Sequence, residues 1–98
     1  MREKIIQSVY SVIDEINQQL PMEQKLEKDL DLILLGSSGK LDSLGLINLI
    51  VLTEQEIEKK FGIKIILTNL DALMQMNEYF NTVGSLVDYI GLLLEVNE

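Results

Sequence analysis

Cysteine, histidine and tryptophan are absent from this 98-residue sequence, and each absence removes a class of function. Without cysteine there is no disulfide framework, no thiolate nucleophile and no cysteine-ligated zinc site. Without histidine there is no imidazole general base and no serine–histidine–aspartate triad. Two phenylalanines and three tyrosines offer little surface on which nucleobases could stack. We therefore expect a protein that is not an enzyme in its own right.

Basic residues are also scarce. Eight Lys and Arg residues stand against sixteen Asp and Glu residues, and the formal net charge of -8 argues against nucleic-acid binding. The acidic excess is uneven, because residues 65–98 contain five acidic residues and no basic one. The apolar fraction of 47% excludes a disordered chain in spite of the charge. The length suits one domain, which we expect to cover residues 1–98.

Long apolar runs are missing as well. Residues 1–7 are not followed by the apolar segment of a secretory signal. The longest nearly apolar stretch, residues 44–52, is about nine residues, whereas a membrane-spanning helix needs ~20. We expect a cytoplasmic protein, monomeric and not inserted into a membrane.

Apolar residues recur at steps of three and four in three segments, which predicts three amphipathic helices. The first begins near the N-terminus and is ended by Pro21, because proline disfavours the α conformation of the residue before it. The second covers Ser43 to Phe61, with Asp42 as its N-cap and Gly62 just beyond its C-terminus. The last follows Thr82, a second predicted N-cap.

The segments between these helices are less regular. Residues 22–41 are predicted to be a long first loop with one short helical turn, pinned to the core by leucines. Residues 63–67 have β propensity but no evident partner strand, so we interpret them as an extended connector. Residues 70–74 are predicted to form a short helix. The predicted fold is all-α: a small four-helix bundle of three longer helices and one short helix, with a long first loop.

Ser43 has the most informative surroundings of any side chain. It stands at the start of the second predicted helix, after the acidic Asp42 and a glycine/serine turn at residues 36–39. Helix N-termini present unpaired N–H donors and a partial positive charge, so they stabilise a phosphate esterified to a residue there. From these residues alone a plainer interpretation stays open, in which Asp42 caps the helix and Ser43 is an ordinary first-turn residue.

Three segments resemble the acyl carrier protein family. Asp42-Ser43-Leu44 opens the second helix of a small acidic helical domain, as in that family. The sequence EQEIEKKFGI, residues 54–63, resembles the acidic end of the family's second helix, and FNTVGSLVDYI, residues 80–90, resembles its last loop and helix. The resemblance extends from the first helix to Ile90.

This resemblance implies a covalent 4′-phosphopantetheine on Ser43, transferred from coenzyme A by a phosphopantetheinyl transferase. Asp42 would help the transferase to place its metal ion, whereas the acids of this chain are too scattered to bind a metal by themselves. The thiol of the arm would hold an acyl group as a thioester and carry it between acyl-loading and acyl-using enzymes. The absence of cysteine agrees, because such a chain must import any thiol that it uses.

A candidate partner surface follows Ser43. Leu44, Ile47 and Val51 share one helix face, and Glu54 is the first acid after Asp42. In similar proteins this face contacts partner enzymes. The alternative is that the three apolar residues are core, although a separate core stripe is predicted at Ile50, Ile57 and Phe61. Candidates to line a cleft for an acyl chain are Ile47, Ile50, Ala72 and Leu73.

Two departures from the family's pattern indicate a specialised carrier. Gly45 and Asn48 occupy positions where family members commonly have acids. The second helix is also about four residues longer than in typical members, which adds ~6 Å of rise. Both features favour dedicated partners in a specialised lipid or secondary-metabolite pathway over fatty-acid biosynthesis.

Two other functions remain open. An aminoacyl or peptidyl carrier would share the serine and the bundle, and the charge-poor flank of Ser43 suits it. An unmodified helical adaptor would bind a protein partner through the acidic surface. A hydrolase that uses Ser43 is disfavoured, because the sequence has no histidine to act as its base.

Overall fold

Three α-helices contain most of the residues that the structure describes. The structure is a computed structural model that describes residues 2–34, 41, 43–69, 74–75 and 79–96, with the backbone alone for Glu23, Ser43 and Val96. The helices are α1 (Arg2–Asn17), α2 (Ser43–Phe61) and α3 (Val83–Val96), and a short 3-10 turn covers Met22–Gln24.

The predicted all-α class is confirmed for these residues, among which no β-strand is found; Ile33 and Thr82 form a single isolated bridge. The predicted short helix at 70–74 falls mainly outside the described residues, as do Ala72, Leu73 and the glycine/serine turn at 36–39. No described helix has both the length and the apolar character needed to cross a bilayer.

Helix α1 packs against both other helices and so organises the core. Its buried apolar residues, Ile5, Val9, Val12 and Ile13, follow the spacing of three and four that places side chains on one helix face. Ser8 is also buried, and its hydroxyl donates to the Lys4 carbonyl oxygen at 2.9 Å. This bond satisfies the one polar group on the buried face of α1.

The first helix ends earlier than predicted, at Asn17 rather than directly before Pro21. The Asn17 amide group donates to the Leu26 carbonyl oxygen at 2.9 Å, and the Leu26 N–H donates to Asn17 Oδ1 at 2.8 Å. The next residues tighten into a turn, because Gln19 and Leu20 donate to carbonyls only three residues back. The side chain of Asn17 therefore fastens the first loop to the end of α1.

Both predicted ends of α2 are confirmed. Gly62 follows Phe61 with a φ of 68°, the left-handed conformation that glycine adopts without a steric penalty, and its N–H donates to the Glu58 carbonyl oxygen at 2.9 Å. The Lys4 ammonium lies 4.6 Å from the centre of the Phe61 ring, a cation–π contact that joins the end of α2 to α1.

The predicted cap of α3 is also confirmed. The Ser85 N–H donates to Thr82 Oγ1 at 3.0 Å, and the Thr82 N–H donates to Ser85 Oγ at 3.0 Å. This reciprocal pair resembles a capping box, with serine in the place usually taken by glutamate or glutamine.

The long first loop is held against the same end of α3. The N–H groups of Val83 and Gly84 donate to the carbonyl oxygens of Leu32 and Leu30, at 3.0 and 2.8 Å. Helix N-termini leave such N–H groups without partners inside the helix, so the loop satisfies them from outside. Loop residues Leu26 and Leu34 are buried in the core, as the leucine content of the loop predicted.

Candidate functional site at the start of the second helix

Ser43 is the first residue of α2, as the sequence predicted. The first turn of this 19-residue helix contains no acidic side chain. The backbone N–H groups of this turn create a partial positive charge at the start of α2. Asp42, the predicted N-cap and transferase contact, lies outside the described residues.

Three apolar side chains after Ser43 face solvent. The exposed fractions are 77% for Leu44, 44% for Ile47 and 37% for Val51. We call these three residues the outer face of α2. Because none of the three belongs to the hydrophobic core, the alternative in which they are core residues is excluded.

The opposite side of α2 supplies the core. Leu46, Leu49, Ile50 and Ile57 are at most 1% exposed. Thr53 is also fully buried, and its hydroxyl donates to the Leu49 carbonyl oxygen at 2.7 Å. The predicted core residues Ile50 and Ile57 are thus confirmed, whereas Phe61 is only half-buried.

Glu54, the predicted acidic partner contact, has a structural contact within the chain. Its Oε2 atom accepts a hydrogen bond from the Leu67 N–H at 2.5 Å. Leu67 is fully buried in the connector that follows α2, so this bond holds the connector against the helix. Sequence reasoning missed this role, because the donor lies thirteen residues away along the chain.

Two grooves flank α2. One, of about 370 Å³, lies between the helix and the connector, and Val51, Glu54, Ile65 and Ile66 are among its lining residues. The other, of about 390 Å³, lies between α1 and α2, and it is lined in part by Gly45 and Asn48, the two positions where acids are missing.

After Ser43 the helix has a long uncharged stretch in spite of the net charge of the chain, whereas the acid Asp42 directly precedes the serine. Residues 43–53 contain no charged side chain, and Glu54 is the first acid of the helix. Glu58 on α2 and Lys64 on the connector are charged residues that also line the first groove. The site therefore combines a serine at a helix N-terminus with an exposed, uncharged and apolar helix face.

Comparisons with family models, with curated proteins and with solved structures found no match to this chain.

Proposed function

We propose that this chain is an acyl carrier protein, with 4′-phosphopantetheine attached to Ser43. It would carry an acyl group between acyl-loading and acyl-using enzymes of a specialised lipid or secondary-metabolite pathway. The observation that carries the proposal is the position of Ser43, the first residue of a long helix whose next exposed side chains are apolar.

The start of α2 suits a phosphodiester on Ser43. A phosphate there would lie within reach of the N–H groups of the first turn and of the positive end of the helix dipole. The residues that follow Ser43 in that turn include no acid, and Asp42 directly precedes the turn. Bound in this way, the prosthetic group supplies a thiol that holds the cargo as a thioester, a chemistry that a chain without cysteine cannot provide.

The chain itself contributes position rather than catalysis. It has no histidine that could activate the serine hydroxyl, so a transferase must supply the base for the modification. We assign to Asp42 contact with that transferase, and to the outer face of α2 contact with the transferase and with later partner enzymes. Glu54 supports this arrangement indirectly, by holding the connector to the helix.

Covalent modification tests the proposal directly. We expect incubation with coenzyme A and a promiscuous phosphopantetheinyl transferase to raise the intact mass by one phosphopantetheine. Ser43→Ala should abolish the gain because it removes the attachment oxygen. Ser11→Ala is the matched control, since Ser11 is an exposed helical serine outside the site and its replacement should leave the gain unchanged.

The charge-poor stretch of α2 that follows Ser43 also suits an aminoacyl or peptidyl carrier, which would accept the same modification. The loading enzyme separates the two, because adenylating enzymes for fatty acids and for amino acids place different groups on the thiol. If several transferases leave the mass unchanged, the carrier proposal is wrong and the unmodified adaptor becomes the better interpretation.

A further inference from the structure

A groove of about 340 Å³ lies between α1 and α3. None of its described lining residues belongs to α2, the helix that begins at Ser43. We call it the α1–α3 groove, and its lining residues include Arg2, Ile5, Asp88, Gly91, Leu92 and Glu95.

The shape of this groove depends on Gly91. Asp88, Gly91 and Glu95 are spaced by three and four residues, so they share one face of α3. Because glycine has no side chain, the space at this position reaches down to Ile5, whose Cδ1 atom would lie 3.8 Å from an added Cβ. Ile5 is 1% exposed, whereas Leu92 beside the gap is 52% exposed. The groove therefore offers an apolar floor and an exposed apolar wall to a side chain that enters it.

The charged residues of the groove are acidic on α3 and basic on α1. Asp88 and Glu95 are exposed, and α3 contains no basic residue. They stand seven residues apart, which is about 10 Å along the helix. Arg2 of α1 pairs with Asp88, whereas Glu95 forms no ion pair with a described residue. One carboxylate at the rim of the groove is thus available to a cation of a partner.

An adjoining groove of about 250 Å³ extends this surface. Asp88 and Leu92 line both grooves, and the second is also lined by Tyr79 and Tyr89. The two tyrosine rings stack with their centres 4.0 Å apart, and Tyr89 is 8% exposed. A partner that lies along α3 would therefore meet apolar and aromatic surface beyond the α1–α3 groove itself.

We propose that the α1–α3 groove binds an amphipathic segment of a partner protein, in which an apolar side chain stands beside a lysine or arginine. The apolar side chain enters the space at Gly91, and the cation pairs with Glu95. Charge complementarity selects this occupant, because the carboxylates of the groove favour a basic partner. A second copy of the chain is disfavoured, because each copy has a net charge of -8.

The pair between Arg2 and Asp88 shows the same type of contact inside the chain. It joins a cation of α1 to a carboxylate of α3, beside the apolar floor of the groove. The proposed partner would repeat this arrangement two turns further along α3, at Glu95. The inference goes beyond the carrier function, since it requires neither Ser43 nor its modification.

Charge reversal at the rim tests the contact with Glu95. The probe is a fluorescein-labelled synthetic helix of leucine and lysine in amphipathic order, and fluorescence anisotropy measures its Kd for the unmodified full chain. Glu95→Lys should raise the Kd at least about fivefold, because it replaces an attraction by a repulsion. Glu27→Lys is the matched control: Glu27 is an exposed acid of the first loop, and the same change in net charge there should alter the Kd by less than about twofold.

A pair of leucine substitutions tests the apolar contact. Leu92→Ser should raise the Kd of the peptide at least about fivefold, because it removes the exposed wall of the groove. Leu44→Ser is the matched control, since Leu44 is a 77% exposed leucine of α2, and it should alter the Kd by less than about twofold. All four substituted positions are exposed, so circular dichroism should show an unchanged helix content for each variant.

Other outcomes overturn the inference. Equal effects of the two lysine substitutions would show that the peptide responds only to net charge, and equal effects of the two serine substitutions would show that it does not bind in this groove. Absence of binding has the same consequence. In sedimentation of the unmodified chain, a dimer that Leu92→Ser dissociates would show that a second copy covers the groove, which contradicts the proposed occupant. None of these results affects the carrier proposal, which the mass gain on Ser43 tests separately.

Discussion

At the scale of single residues, Asn17 joins the end of α1 to the first loop. Its side chain donates to one backbone group of Leu26 and accepts from the other. Leu26 is 4% exposed, so water cannot replace these bonds without disturbing the core. One amide side chain therefore satisfies two backbone groups and fixes where the chain leaves the first helix.

We predict that Asn17→Ala lowers the free energy of unfolding by about 1–3 kcal/mol, because two backbone groups of Leu26 lose their partners. Urea denaturation followed by circular dichroism measures the change. Gln18→Ala is the control, since Gln18 is exposed and adjacent, and it should stay within about 0.5 kcal/mol. Equal losses for both variants would show that the Leu26 bonds do not stabilise the fold.

Residue roles were predictable from the sequence where their partners are local. Thr82 as a cap and Gly62 as a helix terminator depend on atoms within four residues, and both predictions are confirmed. Asn17 and Glu54 bind backbone groups nine and thirteen residues away. Their roles depend on how the loop and the connector fold back onto the helices. The residues next to Asn17 and Glu54 in the sequence do not indicate these long-range contacts.

At the scale of elements, two glycines differ in the backbone conformation that they require. Gly62 needs a positive φ, whereas Gly91 does not. Gly62 ends α2 with a φ of 68°, and an added Cβ would meet no atom within 4 Å. Gly91 lies inside α3, where a Cβ would contact Ile5 Cδ1 at 3.8 Å, an ordinary van der Waals distance. The first position is constrained by its backbone and not by space, whereas the second has neither constraint.

Alanine substitutions at these glycines should therefore shift stability in opposite directions. Gly62→Ala should lower the free energy of unfolding by about 1 kcal/mol, since alanine is strained at positive φ. Gly91→Ala should raise it by about 0.5–1 kcal/mol, since glycine is unfavourable inside a helix. Thermal unfolding of the two variants measures both shifts. A stabilised Gly62→Ala variant would contradict the assigned role of the left-handed conformation.

The elements themselves were predictable to different extents. The limits of α2 follow from its apolar period and the glycine at its end, and they are confirmed from Ser43 to Phe61. The first helix ends at Asn17, whose side chain hydrogen-bonds to the backbone of Leu26, and not directly before Pro21. The attachment of the first loop to α3 was missed, because the bonds from Val83 and Gly84 join backbone atoms about fifty residues apart, and backbone groups carry no sequence signal.

At the scale of the whole molecule, the core and the candidate docking surface are separated on one helix. α1 packs against α2 and α3, so the core lies around α1 and requires only one side of α2. The other side carries the apolar residues Leu44, Ile47 and Val51, which lie outside the core and are exposed. Apolar residues grouped at a surface mark interaction sites, so this side of α2 suits the contact with partner proteins that we propose.

Two isoleucines three residues apart should separate these roles. Ile50 is fully buried, so Ile50→Ala should lower the free energy of unfolding by about 2–5 kcal/mol. Ile47 is 44% exposed, so Ile47→Ala should lower it by less than about 1 kcal/mol. Urea denaturation measures both losses, and the modification assay at a temperature where both variants stay folded supplies the second readout. At that temperature the transferase should modify the Ile47→Ala variant more slowly than the Ile50→Ala variant, although Ile47→Ala is expected to be the more stable of the two. The reverse order of rates would mean that the outer face of α2 does not contact the transferase.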